Sequence, residues 1–528
     1  MNGAEAMLRA LVELGVDVCF TNPGTSEMHF VAALDSVTEM RGVLTLFEGV
    51  ATGAADGYGR IAKRPAVTLL HLGPGLGNGL ANLHNAKRAR TPIVNIVGDH
   101  TNYHRHFDPP LASDINAIAG SVSKLVTTVG GLSSIVSDTI DAYQGSVSAP
   151  KGVSTLIVPA DYSWGQGATT DRLGQIKNRM IELTTYPASN DTRGFTFDVV
   201  AKMLRSSEPT TFLLGGSALS RQGLLAASRI ANSFGAKLIS ETFPAVMDRG
   251  AGVVAVDRLA YFGEFAQAQL AGCKHLVLVG TSDPISFFAY PNSSSLFRPP
   301  DCDVEILAGP LDDAAGVLTE LVEYLGVAKT VPTIQPSVRP EIPTGPLTAT
   351  TVAAVIGATL PEGTIVSDEG NTGSLSAPGF TQGAPPHVWM CLTGGSIGQG
   401  LPVATGAAVA APDQNILCLQ ADGSALYTIQ SLWTQARENL NVTTVLLNNQ
   451  SYAILEFELD RVDATVGDRS RSMFELSPPT LDFVSIANGF GVDAVSVTTP
   501  QELAIQLRRA YSESGPHLIE AILPKAFS

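Results

Sequence analysis

The chain has 528 residues, of which 45% are hydrophobic and 16% charged, with 51 glycines. It is too long for a single core and has the composition of a compact, turn-rich α/β protein of about three domains of ~100–200 residues each. Its 33 basic residues against 49 acidic ones give a net charge of −16, which repels nucleic acid, and no basic run offsets it.

The five cysteines (Cys19, Cys273, Cys302, Cys391, Cys418) are scattered, with no C-x-x-C pair. This is the expectation for reduced core thiols in a cytoplasmic protein. No stretch reaches ~18 uncharged apolar residues and the first residues carry neither a basic segment nor an apolar signal core, so no membrane span is expected.

Residues 1–165 alternate helical and strand patterns and form a first α/β domain. Ala4–Leu14 is a predicted helix, followed by predicted strands at Val18–Phe20, Val67–Leu70, Ile93–Val97 and Val153–Val158. Each strand ends in glycine, proline or a polar turn, as in a parallel sheet with functional loops at its strand ends. Glu48 precedes a run of small residues to Tyr58, suited to a helix start that packs closely against another chain. His71 stands at a strand end, before glycines that do not keep the G-x-G-x-x-G dinucleotide register.

A polar, irregular linker over 166–191 leads into a central α/β domain at 186–330. Its strands are predicted at Thr211–Gly216, Lys237–Ser240, His275–Gly280 and Val304–Leu307. Prolines too frequent for a helix mark a second linker at 331–340. The third domain, 346–528, begins with a strand from Thr364 into a polar turn at Asp368–Thr372. A glycine-rich loop follows at Leu392–Pro402.

The most informative stretch then follows. Strand Ile416–Leu419 leads to Asp422-Gly423-Ser424, a helix is predicted over Tyr427–Leu440, and strand Val442–Leu447 leads to Asn448-Asn449. Asn449 stands 27 positions after Asp422. A right-handed crossover makes the two strands parallel and brings both turns to their carboxyl ends. A carboxylate, an amide oxygen and backbone carbonyls then converge as a hard oxygen site suited to Mg²⁺ holding a diphosphate.

This spacing resembles the metal-diphosphate motif of thiamine diphosphate (ThDP) enzymes, in which a GDG turn precedes a pair of asparagines; here Ala421 replaces the first glycine. The three-block plan also resembles the 2-keto acid decarboxylase and acetolactate synthase superfamily, most closely benzoylformate decarboxylase. The resemblance covers essentially the whole chain. It implies three parallel-sheet α/β domains: pyrimidine-binding, central and diphosphate-binding. It implies Asp422, Asn449 and the Ser451 carbonyl as metal ligands, with Gly423, Ser424, Tyr452, Gly370, Asn371 and Thr372 on the diphosphate side. Ile397 falls where the family has an apolar wedge beneath the two cofactor rings, and the Gly395 carbonyl where N4′ of the aminopyrimidine is held.

By the same resemblance Glu48 is the catalytic glutamate that shares a proton with N1′ of the aminopyrimidine. His71 matches the decarboxylase histidine that relays a proton, and Thr25, in Asn22-Pro23-Gly24-Thr25-Ser26-Glu27, matches a serine that handles the substrate carboxylate. The decarboxylase's second histidine is replaced by Phe287. Phe287, Phe288, Leu111, Ile454 and Leu455 suggest an apolar or aromatic pocket, and Glu458 stands where that relative has an aromatic residue.

The expectation is a ThDP- and Mg²⁺-dependent decarboxylase turning a 2-keto acid into an aldehyde through an enamine. An acetolactate synthase-like carboligase is the alternative, and a non-catalytic binding relative a third reading. Because pyrimidine and diphosphate domains of this family share a cofactor across subunits, a homodimer is the implied minimum, with a tetramer in view. Flavin (FAD) binding, known in some members, has only Gly215-Gly216 to suggest it.

Overall fold

The computed structural model describes residues 1–170, 193–291, 293–462 and 467–525. The part of the first expected linker and of the central domain's start that falls on 171–192 lies outside the described residues.

Strands Val18–Thr21 (β1), Arg41–Leu44 (β2), Ala66–Leu70 (β3), Ile93–Asp99 (β4), Leu125–Thr128 (β5) and Val153–Pro159 (β6) form a parallel sheet ordered β2-β1-β3-β4-β6-β5. β1, β3, β4 and β6 are almost wholly buried. Strands covered on both faces read as unbroken apolar runs, which is why sequence pattern finds them. β2 and β5 are only partly buried and leave no such signature.

Thr210–Leu214 (β7) and Lys237–Ser240 (β8) open the central parallel sheet, which Asp257–Arg258 (β10), His275–Val279 (β11) and Asp303–Ala308 (β12) complete in the order β10-β8-β7-β11-β12. The intervening strand, Met247–Arg249 (β9), leaves that sheet. It pairs antiparallel with His387–Cys391 (β14) at the edge of the third sheet. There Ile365–Glu369 (β13), Ile416–Ala421 (β15), Val442–Asn448 (β16), Asp493–Val497 (β17) and His517–Ile522 (β18) complete the order β17-β18-β16-β15-β13-β14-β9.

Each sheet is begun in one direction and finished in the other. A crevice therefore opens at the carboxyl ends between β1 and β3, between β7 and β11, and between β13 and β15. In the central sheet the backbones close in on this crevice, because a methyl group on Gly280 would stand 2.2 Å from the Gly215 carbonyl oxygen. The Glu241 carboxylate accepts a hydrogen bond from Thr281 there.

The first and third sheets are joined by helices Glu48–Ala62 and Gly400–Ala410. Ala51, Ala54, Ala55 and Tyr58 share one apolar core with Leu401, Val403, Ala404 and Ala407. The glycines make this contact possible: a methyl group on Gly406 would lie 1.8 Å from the Ala54 carbonyl oxygen, and one on Gly57 2.1 Å from that of Val403. All five cysteines are buried and unbridged, and no described helix is long and apolar enough to cross a membrane.

Where the central domain meets the third sheet, His387 on β14 is 3% exposed. Its Nδ1 donates to the Pro385 carbonyl at 2.8 Å and its Nε2 is buried without a partner. Burial, reinforced by Arg249, pushes this imidazole down to about 4. The unfolded value is higher, so this site binds protons more readily in the unfolded chain as pH falls. The stability it contributes is full above pH ~6.5 and lost toward pH ~4, on the order of 3 kcal/mol. Denaturant unfolding across this range should show that loss, and His387→Asn should flatten it.

Candidate active site

The two strands that lead to Asp422 and Asn449 lie side by side. β15 and β16 pair in parallel with Ala421 opposite Leu447, so the two turns emerge side by side. Asp422 is 2% exposed. Its Oδ1 accepts from the Gly423 amide at 2.8 Å and its Oδ2 from the Gln450 amide at 2.7 Å. Gln450 takes a left-handed conformation, φ +56°, which directs its N–H at Asp422. Burial nonetheless pushes the Asp422 carboxyl up to about 6, because two amides replace only part of its hydration.

Asn449 turns its Oδ1 to the Ser451 amide at 3.1 Å, and the Ser451 hydroxyl is buried without a partner. The Tyr452 ring packs where a Cβ on Gly423 would be, 2.4 Å from its Cε1. A carboxylate, an amide oxygen and carbonyls, with no thiolate or imidazole among them, suit a hard divalent cation.

The predicted helix over Tyr427–Leu440 is shorter, spanning Ser431–Arg437. Its first part is a series of tight turns, Tyr427 N to Ser424 O and Thr428 N to Ala425 O. These let the Thr428 hydroxyl reach the Gly398 carbonyl at 2.9 Å.

Gly370, Asn371 and Thr372 lie on the turn after β13, across the crevice from Asp422. Asn371 has φ +48°, and a Cβ on Gly370 would meet Leu447 Cδ1 at 2.8 Å. The glycine-rich loop after β14 carries Gly395 and Gly398, both at positive φ, with Ile397 between them. Helix Leu72–Ala89 of the first domain holds this loop by its carbonyls. His84 donates to Gly394 O at 3.2 Å, Asn85 to Ser396 O at 2.7 Å and Asn82 to Gly398 O at 3.1 Å.

Glu48 opens helix Glu48–Ala62 and is 8% exposed. Asn78 Nδ2 donates to its Oε2 at 3.0 Å. His71 is the residue between β3 and helix Leu72–Ala89. The two meet around Gly75, where a Cβ would be 3.3 Å from His71 Cβ and 3.4 Å from Glu48 Oε1. No hydrogen bond or ion pair among the described residues joins Glu48 or His71 to the Asp422–Asn449 turn.

In the loop after β1, Thr25 opens the short 3₁₀ turn Thr25–Glu27, and the side chains that meet His71 are those of the next two residues. His71 Nδ1 stands 2.9 Å from Glu27 Oε2 and 3.0 Å from Ser26 Oγ. Glu27 is 3% exposed, anchored by the Gly24 amide at 2.8 Å and the Ser26 hydroxyl at 2.5 Å. Sequence reasoning missed Glu27; the acid in a loop that closes on a strand-end histidine was the available signal.

Of the pocket candidates, Phe287 reaches the glycine-rich loop, since a Cβ on Gly395 would stand 2.4 Å from its Cζ. Its ring belongs to a cluster with Phe243, Tyr261 and Phe288, at centroid distances of 6.1, 5.6 and 5.1 Å. Ile454, Leu455 and Glu458 lie on helix Ala453–Arg461. Glu458 Oε2 accepts the Tyr290 hydroxyl at 2.5 Å, which ties that helix to the central domain. Leu111 sits exposed on a loop of the first domain.

Comparison with known proteins agrees with this geometry. Residues 1–120 match the family described as thiamine pyrophosphate enzyme, N-terminal TPP binding domain, and residues 368–521 match its C-terminal TPP binding domain. Over 526 residues, 99% of each chain, the sequence is 53% identical to the putative acetolactate synthase large subunit IlvX of Mycobacterium tuberculosis. It is 27% identical over 540 residues, 96% of each chain, to benzoylformate decarboxylase of Pseudomonas aeruginosa. The fold is that of the thiamine diphosphate-dependent 4-hydroxybenzoylformate decarboxylase of Rhodococcus jostii RHA1, with a TM-score of 0.85 at 20% identity over 100% of both chains. The chain belongs to the thiamine diphosphate-dependent enzymes of the decarboxylase and acetolactate synthase family.

Proposed function

We propose that this enzyme decarboxylates a 2-keto acid with an apolar or aromatic side chain and releases the aldehyde, using thiamine diphosphate and Mg²⁺. The observation that carries this reading is the Glu27–His71 pair beside Glu48. When bound, thiamine diphosphate supplies a carbon nucleophile for the keto group and an electron sink as carbon dioxide departs.

The chain's own residues do the rest. Asp422, Asn449 and the Ser451 carbonyl would hold the cation, with Gly370, Asn371, Thr372 and Ser424 around the diphosphate. Ile397 and the Gly395 carbonyl would support the rings. Glu48, kept in place by Asn78, would hold the proton shared with the aminopyrimidine. With His71 doubly protonated, Glu27 accepts a hydrogen bond from Nδ1–H and holds the ring so that Nε2–H, on the substrate side, delivers the proton that completes the aldehyde. Phe287 covers Gly395 with an aromatic wall that suits a flat, apolar side chain.

A second reading, ligation of the decarboxylated fragment to another carbonyl, is favoured by the same Phe287. It puts a ring where a second proton donor would speed aldehyde release, and the relative sharing 53% of its residues bears an acetolactate synthase name. We propose a homodimer as the smallest active unit and a tetramer as the full assembly, working in the cytoplasm. The family resemblance, in which the pyrimidine and diphosphate domains that share a cofactor come from different subunits, supports a site shared between copies.

Mass analysis of products from a panel of 2-keto acids, with and without an aldehyde acceptor, separates the two readings. Aldehyde as the main product is expected, and acyloin or acetohydroxy acid overturns decarboxylation as the primary reaction. Glu48→Gln should lower turnover by ~100-fold or more. Glu27→Gln should slow aldehyde release by roughly 10- to 100-fold while leaving ThDP affinity unchanged, because Glu27 acts through His71. Sedimentation should give a dimer or larger, and full activity in a monomer would rule out the shared site.

A further inference from the structure

A buried polar chain that the mechanism above does not use runs between the glycine-rich loop and the metal turn. Glu369, the last residue of β13, is 2% exposed. Its Oε1 accepts the Gly398 amide at 2.6 Å. Its Oε2 accepts the Gly400 amide at 2.5 Å and Gln420 Nε2 at 3.1 Å. The same Gln420 nitrogen donates to Ser424 Oγ at 2.7 Å, inside the turn that carries Asp422.

From the other side, Gln399 Nε2 donates to Asp56 Oδ2 at 2.8 Å. Asp56 is itself fully buried and held by Arg60 at 2.6 Å and Thr91 at 2.5 Å. Residues 398–400 are thus gripped by two buried carboxylates, one from each end domain, and one of these continues to the diphosphate turn.

We propose that Glu369 is a positioning residue for the cofactor. It locks the loop bearing Gly395 and Ile397 to the Asp422–Ser424 turn through Gln420, so that the ring-holding and diphosphate-holding halves move as one body. The proposal rests on the reading that these two segments hold thiamine diphosphate.

The chemistry favours such a role over simple packing. An anion buried this deeply is tolerated only if donors surround it, and Glu369 spends all of its described donors on two elements: the loop and the residue that orients Ser424. Burial pushes its carboxyl up to about 7, against the pull of the Gly400, Gln420 and Gly398 donors. An amide of the same size would set an N–H against the Gly398 or Gly400 N–H. One buried donor would then be unmet, and the loop would be free to shift.

The test is calorimetric titration of the apo-enzyme and of Glu369→Gln, once with ThDP and Mg²⁺ and once with magnesium pyrophosphate alone. Pyrophosphate reports on the diphosphate-holding segments, Asp422–Ser424 and Gly370–Thr372, and not on the ring-holding loop. Glu369→Gln should weaken both ligands by about tenfold or more, with the thermal midpoint of the apo-protein as the check on folding. ThDP affinity falling while pyrophosphate affinity holds would overturn the coupling, and no change in either would overturn the role altogether.

Gln420→Met cuts the relay while leaving the loop amides on Glu369. It should weaken pyrophosphate in the same sense, and it carries the test if Glu369→Gln does not fold; unchanged pyrophosphate affinity in Gln420→Met would overturn the proposal. Wild-type protein that binds no ThDP would instead sink the reading of the site itself.

Discussion

The close contact between helices Glu48–Ala62 and Gly400–Ala410 is the constraint on which the rest depends. With backbone atoms nearly touching at Gly57 and Gly406, the two end domains cannot slide relative to each other without clashing. This contact sets where Glu48 starts and where the glycine-rich loop ends, since each lies at the amino end of one of the two helices. The alanines between the glycines add apolar contact without bulk, so a well-packed core forms at a spacing that Leu or Val would prevent. Any methyl group added at either glycine must be accommodated by the backbone, which cores resist.

Around this contact the chain collects buried carboxylates: Glu27, Glu48, Asp56, Glu369 and Asp422. In a protein already carrying −16, each is a desolvation cost, and each is met by different donors. Asp56 has a guanidinium, Glu369 has amides, Glu48 has an asparagine and Glu27 has an imidazole. Asp422 has two backbone amides and oxygen-rich neighbours in place of a cationic side chain, an environment that still lacks positive charge. Burial pushes up the carboxyls of Glu369 and Asp422, which lack a cationic partner among the described residues.

The parts of the site that sequence reveals are the local ones. Asp422 and Asn449 declare themselves because a strand, a crossover and a second strand fix their separation, and β15 and β16, almost wholly buried, read as apolar runs. Glu48 is legible for the same reason, through the small residues after it. Glu27 is not, because its meaning depends on β1, β3 and β4 ending together: Gly98 on β4 leaves just enough room for its carboxylate, and His71 at the end of β3 completes the pair. Glu369 is equally silent, since its partners lie 29 to 51 residues away. The over-long helix at Tyr427–Leu440 arose because helical periodicity does not register that Thr428 is needed elsewhere, at the Gly398 carbonyl.

The strand Met247–Arg249 carries a consequence for how such proteins diversify. Although it lies in the chain between two strands of the middle sheet, it supplies the outermost rung of the last one and pairs with the backbone of His387, Val388 and Trp389. Exchanging the middle domain as a block would strip that rung and leave a bare, ladder-ready edge, an invitation to sticking between molecules. Recombination that respects the fold must therefore carry this three-residue strand along with the C-terminal domain it serves, so the seams along which this architecture can be cut and rejoined are not the ones its linkers advertise.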